Sequence, residues 1–242
     1  MKSVRIYQAG QLHADESIEL DKPASNHLIR VLRFKNLQLF TMFNGMGGEY
    51  TVQLEISGKK AIAHIQSFTE TVNESDLKIH LLQGISKGDR MDFAIQKSIE
   101  LGVHKITPVI CERTVVNIKG DRLDKKRAHW QSIAISACEQ SGRNYLPEIS
   151  APCRFNNAEC GNSDALKVML DPLSCNTMNN IYPGSNNVTI FIGPEGGFTS
   201  NEIESAKEAG FNGVTLGPRI LRTETAALAA ITSAQLLWGD LA

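Results

Sequence analysis

The chain has 242 residues, enough for one large domain or two smaller ones, and 42% apolar residues suffice for a proper core. A net charge of −1 excludes a global basic field for nucleic acid but leaves room for a local basic patch. The opening MKSVRIYQAG lacks an apolar leader core, and no run approaches ~18 apolar residues, so neither a signal peptide nor a membrane span is expected.

The first part, residues 1–72, reads as β-rich. Strands are predicted at Val4–Tyr7, Leu37–Phe43, Tyr50–Ile56 and Ala61–Phe68, and a short helix at Pro23–Leu32 with Pro23 in its first turn. Asn44-Gly45 between two apolar runs is a hairpin signal, and the set of strands resembles a small barrel. Gly45-x-Gly47-Gly48 is rejected as a phosphate loop because no helix follows it. The cations Arg5, His27, Arg30, Arg33 and Lys35 form a candidate RNA-contacting patch, with Arg30 and Arg33 three apart and so on one helical face. The alternative is a solvated surface. A polar linker, Thr69–Asp76, then marks a domain boundary, which gives domains 1–72 and 73–242.

The second part alternates strand and helix, which argues for a mostly parallel sheet covered on both faces. Strands are expected at Ile79–Leu82, Ile106–Ile110, Leu166–Leu170, Val188–Ile192 and Val214–Leu216. Asp89 is expected to cap a helix running to Leu101, with Met91, Ile95 and Ile99 on its buried face, and Leu123–Gln140 forms a longer one. Thr199 or Ser200 caps the next helix and Thr223 the last, which is rich in alanine. The run Lys119, Arg122, Lys125, Lys126 and Arg127, mixed with Asp121 and Asp124, reads as a solvated face, with RNA contact as the alternative. Five cysteines (Cys111, Cys138, Cys153, Cys160, Cys175) with no C-x-x-C spacing speak against zinc and against a disulfide framework, and so for a reducing cytoplasm. Cys138 reads as core rather than nucleophile.

Two Gly-Pro turns, Gly193-Pro194 and Gly217-Pro218, each follow a strand and precede a helix. Their loops leave the sheet at one end, where open α/β sheets bind ligands. Neither a Walker sequence nor a G-x-G-x-x-G fingerprint occurs. The loops suit a nucleoside-sized ligand in bent form, not a pyrophosphate.

Several segments in this order carry a resemblance: His27–Arg33, Asn44–Tyr50, Lys87–Asp92 through Glu100-Leu101-Gly102, Glu139–Arg143, Gly193–Gly197 and Leu216–Ala226. Together they resemble the RsmE family of the SPOUT methyltransferases over nearly the whole chain. The resemblance implies an α/β domain with a C-terminal trefoil knot, preceded by a PUA-like domain. It implies S-adenosylmethionine as cofactor, 16S rRNA in the small ribosomal subunit as substrate, a homodimer whose partner completes the site, and no metal. The reaction it implies is methylation of N3 of one uridine, number 1498 in the usual rRNA numbering. The implied cofactor residues are Leu170, Gly193, Pro194, Glu195, Gly196, Gly197, Leu216, Gly217, Arg219, Ile220, Leu221, Arg222, Thr225 and Ala226.

For such chemistry a cation must stabilise the charge that spreads onto the uracil carbonyl oxygens when N3 loses its proton. Arg222 is the first candidate and Arg143 the second, the latter from either subunit. Glu195 or Glu224 is expected to take the proton or to hold an arginine, although a first-turn Glu224 also serves the helix dipole. Two other functions stay open at this stage: a non-catalytic RNA-binding or ribosome-assembly factor, and methylation of another rRNA or tRNA position.

Overall fold

A computed structural model describes residues 4–58, 60–116, 120–158 and 164–241; Lys119 and Cys160 lie outside the described residues. The chain divides into two compact units. One runs up to Glu74 and includes Cys138–Leu146; the other comprises Ser75–Ala137 and Pro147 onward. The excursion of residues 138–146 into the first unit was not legible from the linker.

The first unit holds a five-stranded sheet. Its strands are β1 (Arg5–Tyr7), β2 (Ser17–Glu19), β3 (Leu39–Phe43), β4 (Glu49–Ser57) and β5 (Lys60–Thr69), in the order β1-β3-β4-β5-β2. Only the β1–β3 pair is parallel. Strand alternation puts Phe40, Met42, Val52, Leu54, Ala61, Ala63 and Ile65 in one core. β2 was not anticipated, because Ser17-Ile18-Glu19 is short and mostly polar. The Asp21 side chain accepts from the Ala24 N–H (2.7 Å) and starts α1 (Lys22–Asn26). A π-helical turn over His27–Val31 follows and buries Leu28, so the expected helix exists but changes pitch at His27.

Two glycines of the β3–β4 loop are explained by what they face. Leu146 N–H donates to Gly45 O (3.1 Å) and Gly47 N–H to Asn144 O (3.2 Å). A Cβ on Gly45 would lie 2.8 Å from Leu146 Cβ, too close for any other residue. Beneath this loop lies a polar centre. Arg143 pairs with Glu74, both almost fully buried. Tyr7 N–H donates to Glu139 Oε1 (3.0 Å). Burial raises the Glu139 carboxyl above its usual range, and the Tyr7 bond only partly offsets this.

The second unit is built on parallel strands: β6 (Lys78–Gly84), β7 (Val103–Ile110), β8 (Glu148–Ile149), β9 (Cys153–Arg154), β10 (Leu166–Leu170), β11 (Asn187–Ile192) and β12 (Asn212–Val214). Their order is β12-β10-β11-β6-β7-β8, with β9 also on β7, and every pairing is parallel. The helices are α2 (Asp89–Glu100), α3 (Asp121–Ser141, whose residues from Cys138 cluster with the first unit), α4 (Ser200–Glu208) and α5 (Thr223–Trp238). One sheet face carries Leu82, Val109, Met169 and Phe191 and packs on Ala206 of α4 and on Phe155 and Phe211. Successive residues point oppositely, so Leu81, Val168 and Ile190 face the other way, and all are fully buried. Helices α2 and α5 pack on each other and contact β6, β7 and β11. Ala226, Ala227, Ala230 and Ala234 allow that close approach.

Three boundary expectations are corrected. α2 is capped by Gly88, whose φ of 59° suits glycine, and Asp89 is its first helical residue. α5 is capped by Arg222, because the Thr223 hydroxyl is engaged elsewhere. β12 ends at Val214, because Thr215 N–H turns to Asn176 O (2.8 Å). Thr199 caps α4 as expected and forms a reciprocal capping box with Glu202.

Candidate active site

The parallel order sends the loops after β10, β11 and β12 out of the sheet at one end. There they enclose a cavity of about 580 Å³ within the second unit. Ligand cavities are typically ~300–1,000 Å³. Leu170, Gly193, Pro194, Glu195, Gly197, Leu216, Arg219, Ile220, Leu221, Arg222 and Ala226 all line it. Gly196, Gly217 and Thr225 do not. The Gly196 carbonyl instead accepts from Arg113 Nη1 (3.1 Å), and a Cβ there would stand 2.8 Å from Arg113 Cβ. Gly217, at φ 87°, accepts from Thr215 Oγ1 (3.1 Å), and Thr225 lies on the exposed side of α5.

Sequence reasoning missed part of the wall. Asp171, Pro172 and Leu173 come from the β10 loop, Arg90 from α2, Phe198 and Ile203 from around α4, and Thr215 and Thr223 from the β12–α5 stretch. The signal for the first three was present. Asp171-Pro172 ends a strand at the same sheet edge as the two Gly-Pro turns. Asp171 Oδ1 accepts from the Leu173 N–H (2.9 Å), which folds that loop into a tight turn.

Glu195 is held from outside the loop. Its Oε1 accepts from the Lys87 N–H (3.0 Å) and from Arg90 Nη1 (3.4 Å). The arginine it holds is Arg90, neither of the two candidate catalytic arginines. Glu224 differs: its Oε2 is buried and has no hydrogen-bond partner among the described residues. A buried acceptor left unpaired is costly and calls for an explanation. Arg222 is exposed and faces the cavity.

Arg143 is not in this cavity. It sits in the first unit, 5% exposed, with Nε and Nη2 on Glu74. The basic set is divided as well. Arg5 is withdrawn from solvent, ion-paired with Glu49, bonded to Asn144 and stacked over the Phe43 ring (5.1 Å to its centre). His27, Arg30, Arg33 and Lys35 are exposed. Arg33 lies beyond the helical turn at φ 54°, so it does not share a helical face with Arg30.

Cys138 is fully buried and its thiol is pushed up to about 12, chiefly by burial; burial also raises Cys111, with Glu202 adding to it. Both are protonated at neutral pH, which removes them as nucleophiles. Among the described residues no cluster of His, Cys, Asp and Glu is arranged to hold a metal, and no helix is long and apolar enough to cross a membrane.

Comparison with known proteins places this geometry. The family model for the RNA methyltransferase domain matches residues 73–235, and the RNA methyltransferase PUA domain matches residues 20–66. A curated relative from Buchnera aphidicola subsp. Schizaphis graminum, ribosomal RNA small subunit methyltransferase E, is 39% identical over 98% of this chain and 97% of its own. This chain belongs to the ribosomal RNA small subunit methyltransferase E family. A solved family structure from Neisseria gonorrhoeae, bound to S-adenosylmethionine, superimposes with TM-score 0.92 at 42% identity and full coverage of both chains. A Legionella pneumophila protein described as a methyltransferase, with bound S-adenosylmethionine, gives 0.96 at 41%, again with both chains fully covered. The methyltransferase E relative from Bacillus subtilis is 32% identical over 89% of this chain and 90% of its own.

Proposed function

We propose that this protein binds S-adenosylmethionine in the cavity of its second unit and methylates N3 of a specific uridine in 16S rRNA of the small ribosomal subunit, in the cytoplasm. The observation that carries this reading is the convergence of three sheet-end loops on one cavity of nucleoside size in a member of this family. The residues fit the cofactor chemically. Leu170, Leu216, Leu221 and Ala226 offer apolar walls for a base, and Gly193 and Gly197 admit close backbone approach. The Asp171 and Glu195 carboxylates suit a cationic ligand.

The cofactor, when bound, supplies a methyl group on a positively charged sulfur. Everything else falls to the protein and the RNA. Uracil N3–H is a weak acid, and losing its proton spreads negative charge onto the flanking carbonyl oxygens. Arg222, a permanent cation at the cavity, is assigned to stabilise that charge. Glu224 does not line the cavity and is assigned to the dipole of α5, in whose first turn it stands. Glu195 holds Arg90 and the loop before α2 rather than acting on substrate. N3 faces its partner in a base pair, so the target uridine must be unpaired or extruded.

The finer architecture belongs to the same proposal: a SPOUT-type domain 73–242 with a C-terminal trefoil knot, and an RNA-binding domain 1–72 whose sheet closes as a barrel. His27, Arg30, Arg33 and Lys35 are assigned to RNA phosphates; Arg5 is reassigned to holding Glu49 and Asn144. A homodimer is supported by exposed Phe93 on α2 and Leu236 and Leu237 on α5, a pair of helices that pack together. Arg143 then acts through the polar centre of the first unit. Titration calorimetry with S-adenosylmethionine, paired with methyl-label transfer to RNA from small versus large ribosomal subunits, tests the reading. Cofactor binding with label only in small-subunit RNA supports it; no binding, or label in both RNAs, contradicts it.

A further inference from the structure

Thr223 stands where the two Gly-Pro loops meet. Its hydroxyl donates to Gly193 O (2.6 Å) and accepts from Gln83 Nε2 (3.0 Å). A hydroxyl has one proton, so the direction is fixed: the Gln83 amide donates to Thr223, and Thr223 donates to the Gly193 carbonyl. Gln83 is fully buried on β6, in register with Ile192 of β11, and its amide also donates to Gly84 O (3.1 Å). The Gln83 side-chain oxygen is buried with no partner among the described residues. Leucine would fill this place without that desolvation cost, so packing alone does not account for a glutamine here.

The relay's ends explain it. Gly193 opens the loop whose Pro194, Glu195 and Gly197 form one wall of the cavity. Thr223 begins α5, between Arg222 and Ala226 of the other wall. Among the described residues no other side-chain hydrogen bond joins these two loops directly, and Gln83 anchors the junction to the middle of the sheet.

We propose that Gln83 and Thr223 are positioning residues: their hydrogen-bond relay to the Gly193 carbonyl sets the separation of the two cavity loops, and through it the placement of Arg222 against bound cofactor. This rests on the S-adenosylmethionine reading of the cavity. Two measurements separate the proposal from that reading. The first is deuterium uptake, in the ligand-free protein, of peptides covering residues 193–197 and 219–223. The second is the S-adenosylmethionine Kd by calorimetry. Thr223→Val removes the hydroxyl at constant shape, Thr223→Ser keeps it, and Gln83→Leu removes the donor.

Thr223→Val and Gln83→Leu are expected to speed exchange in both loops and to raise Kd about five- to tenfold, the usual worth of one buried hydrogen bond. Thr223→Ser is expected to restore both readouts. A residue that only supports the fold would lower the unfolding midpoint and leave the Kd of the folded protein unchanged. If Gln83→Leu does not fold, the Val and Ser pair carries the test. Unchanged exchange and Kd in Thr223→Val overturn the proposal. Faster exchange in a protein whose wild type binds no S-adenosylmethionine keeps the loop coupling and sinks the cofactor reading instead.

Discussion

Gly84→Ala tests the packing on which the cavity depends. Gly84 ends β6 against the backbone of the β11 loop. An added Cβ would lie 2.7 Å from Gly193 C and 2.8 Å from Pro194 Cδ, with Pro194 N closer still. Ordinary contact begins at 3.4 Å and Pro194 N is the nearest atom, so one segment must retreat by about 1 Å. The neighbours are backbone and a proline ring, which do not swing aside as a flexible side chain does. Overpacking of this kind costs about 1–3 kcal/mol, or roughly 2–10 °C in Tm for a chain of this size. Function should suffer more. A wall displaced by about an ångström misplaces the reacting groups, and such errors lower kcat on the order of tenfold to a hundredfold. The assay is methyl transfer and cofactor Kd beside thermal unfolding, with Gly184→Ala as control, because nothing lies within 4 Å of a Cβ there. A Gly84→Ala protein with wild-type Tm, Kd and kcat would refute the close-approach argument.

Arg222→Ala should abolish methyl transfer while leaving the fold largely intact, since its side chain makes no cap bond to α5; an active variant removes its assigned role. Arg30→Glu with Arg33→Glu should weaken binding to small-subunit RNA and flatten its salt dependence, because both residues are exposed cations. An unchanged salt slope would make the patch a solvated surface. Glu139→Gln concerns stability. Burial raises the folded carboxyl above its ordinary 4.5, so the stability it contributes is full below that pH and is lost as pH rises through the folded value. The variant keeps an acceptor for the Tyr7 N–H. In urea unfolding it should therefore match wild type near pH 4 and exceed it at pH 7.5. A deficit at pH 7.5 would show that the ionised carboxylate is favourable there.

What the sequence disclosed depended on whether the signal was local. The strands of the parallel sheet show as apolar runs, and Thr199-x-x-Glu202 announces its helix start. Gly193-Pro194 and Gly217-Pro218 marked two of the three cavity loops, because glycine and proline report backbone geometry directly. The third loop, Asp171–Leu173, carries the same kind of signal in its proline, but its place beside the other two follows only once β10 is set between β11 and β12. Arg5 looked like a free cation because its partners Glu49 and Asn144 lie 44 and 139 residues away. Arg33 left its helical face through a positive φ that an arginine does not advertise. The Gln83–Thr223–Gly193 relay joins residues up to 140 apart in sequence, so no spacing rule could have found it.

The most direct test of the central claim uses small ribosomal subunits that lack the modification. They are incubated with the protein and S-adenosylmethionine, and the RNA is then digested to nucleosides and examined by mass spectrometry. N3-methyluridine at a single site in 16S rRNA is the predicted result. A methyl group on another base, or none while the cofactor binds, would contradict the account.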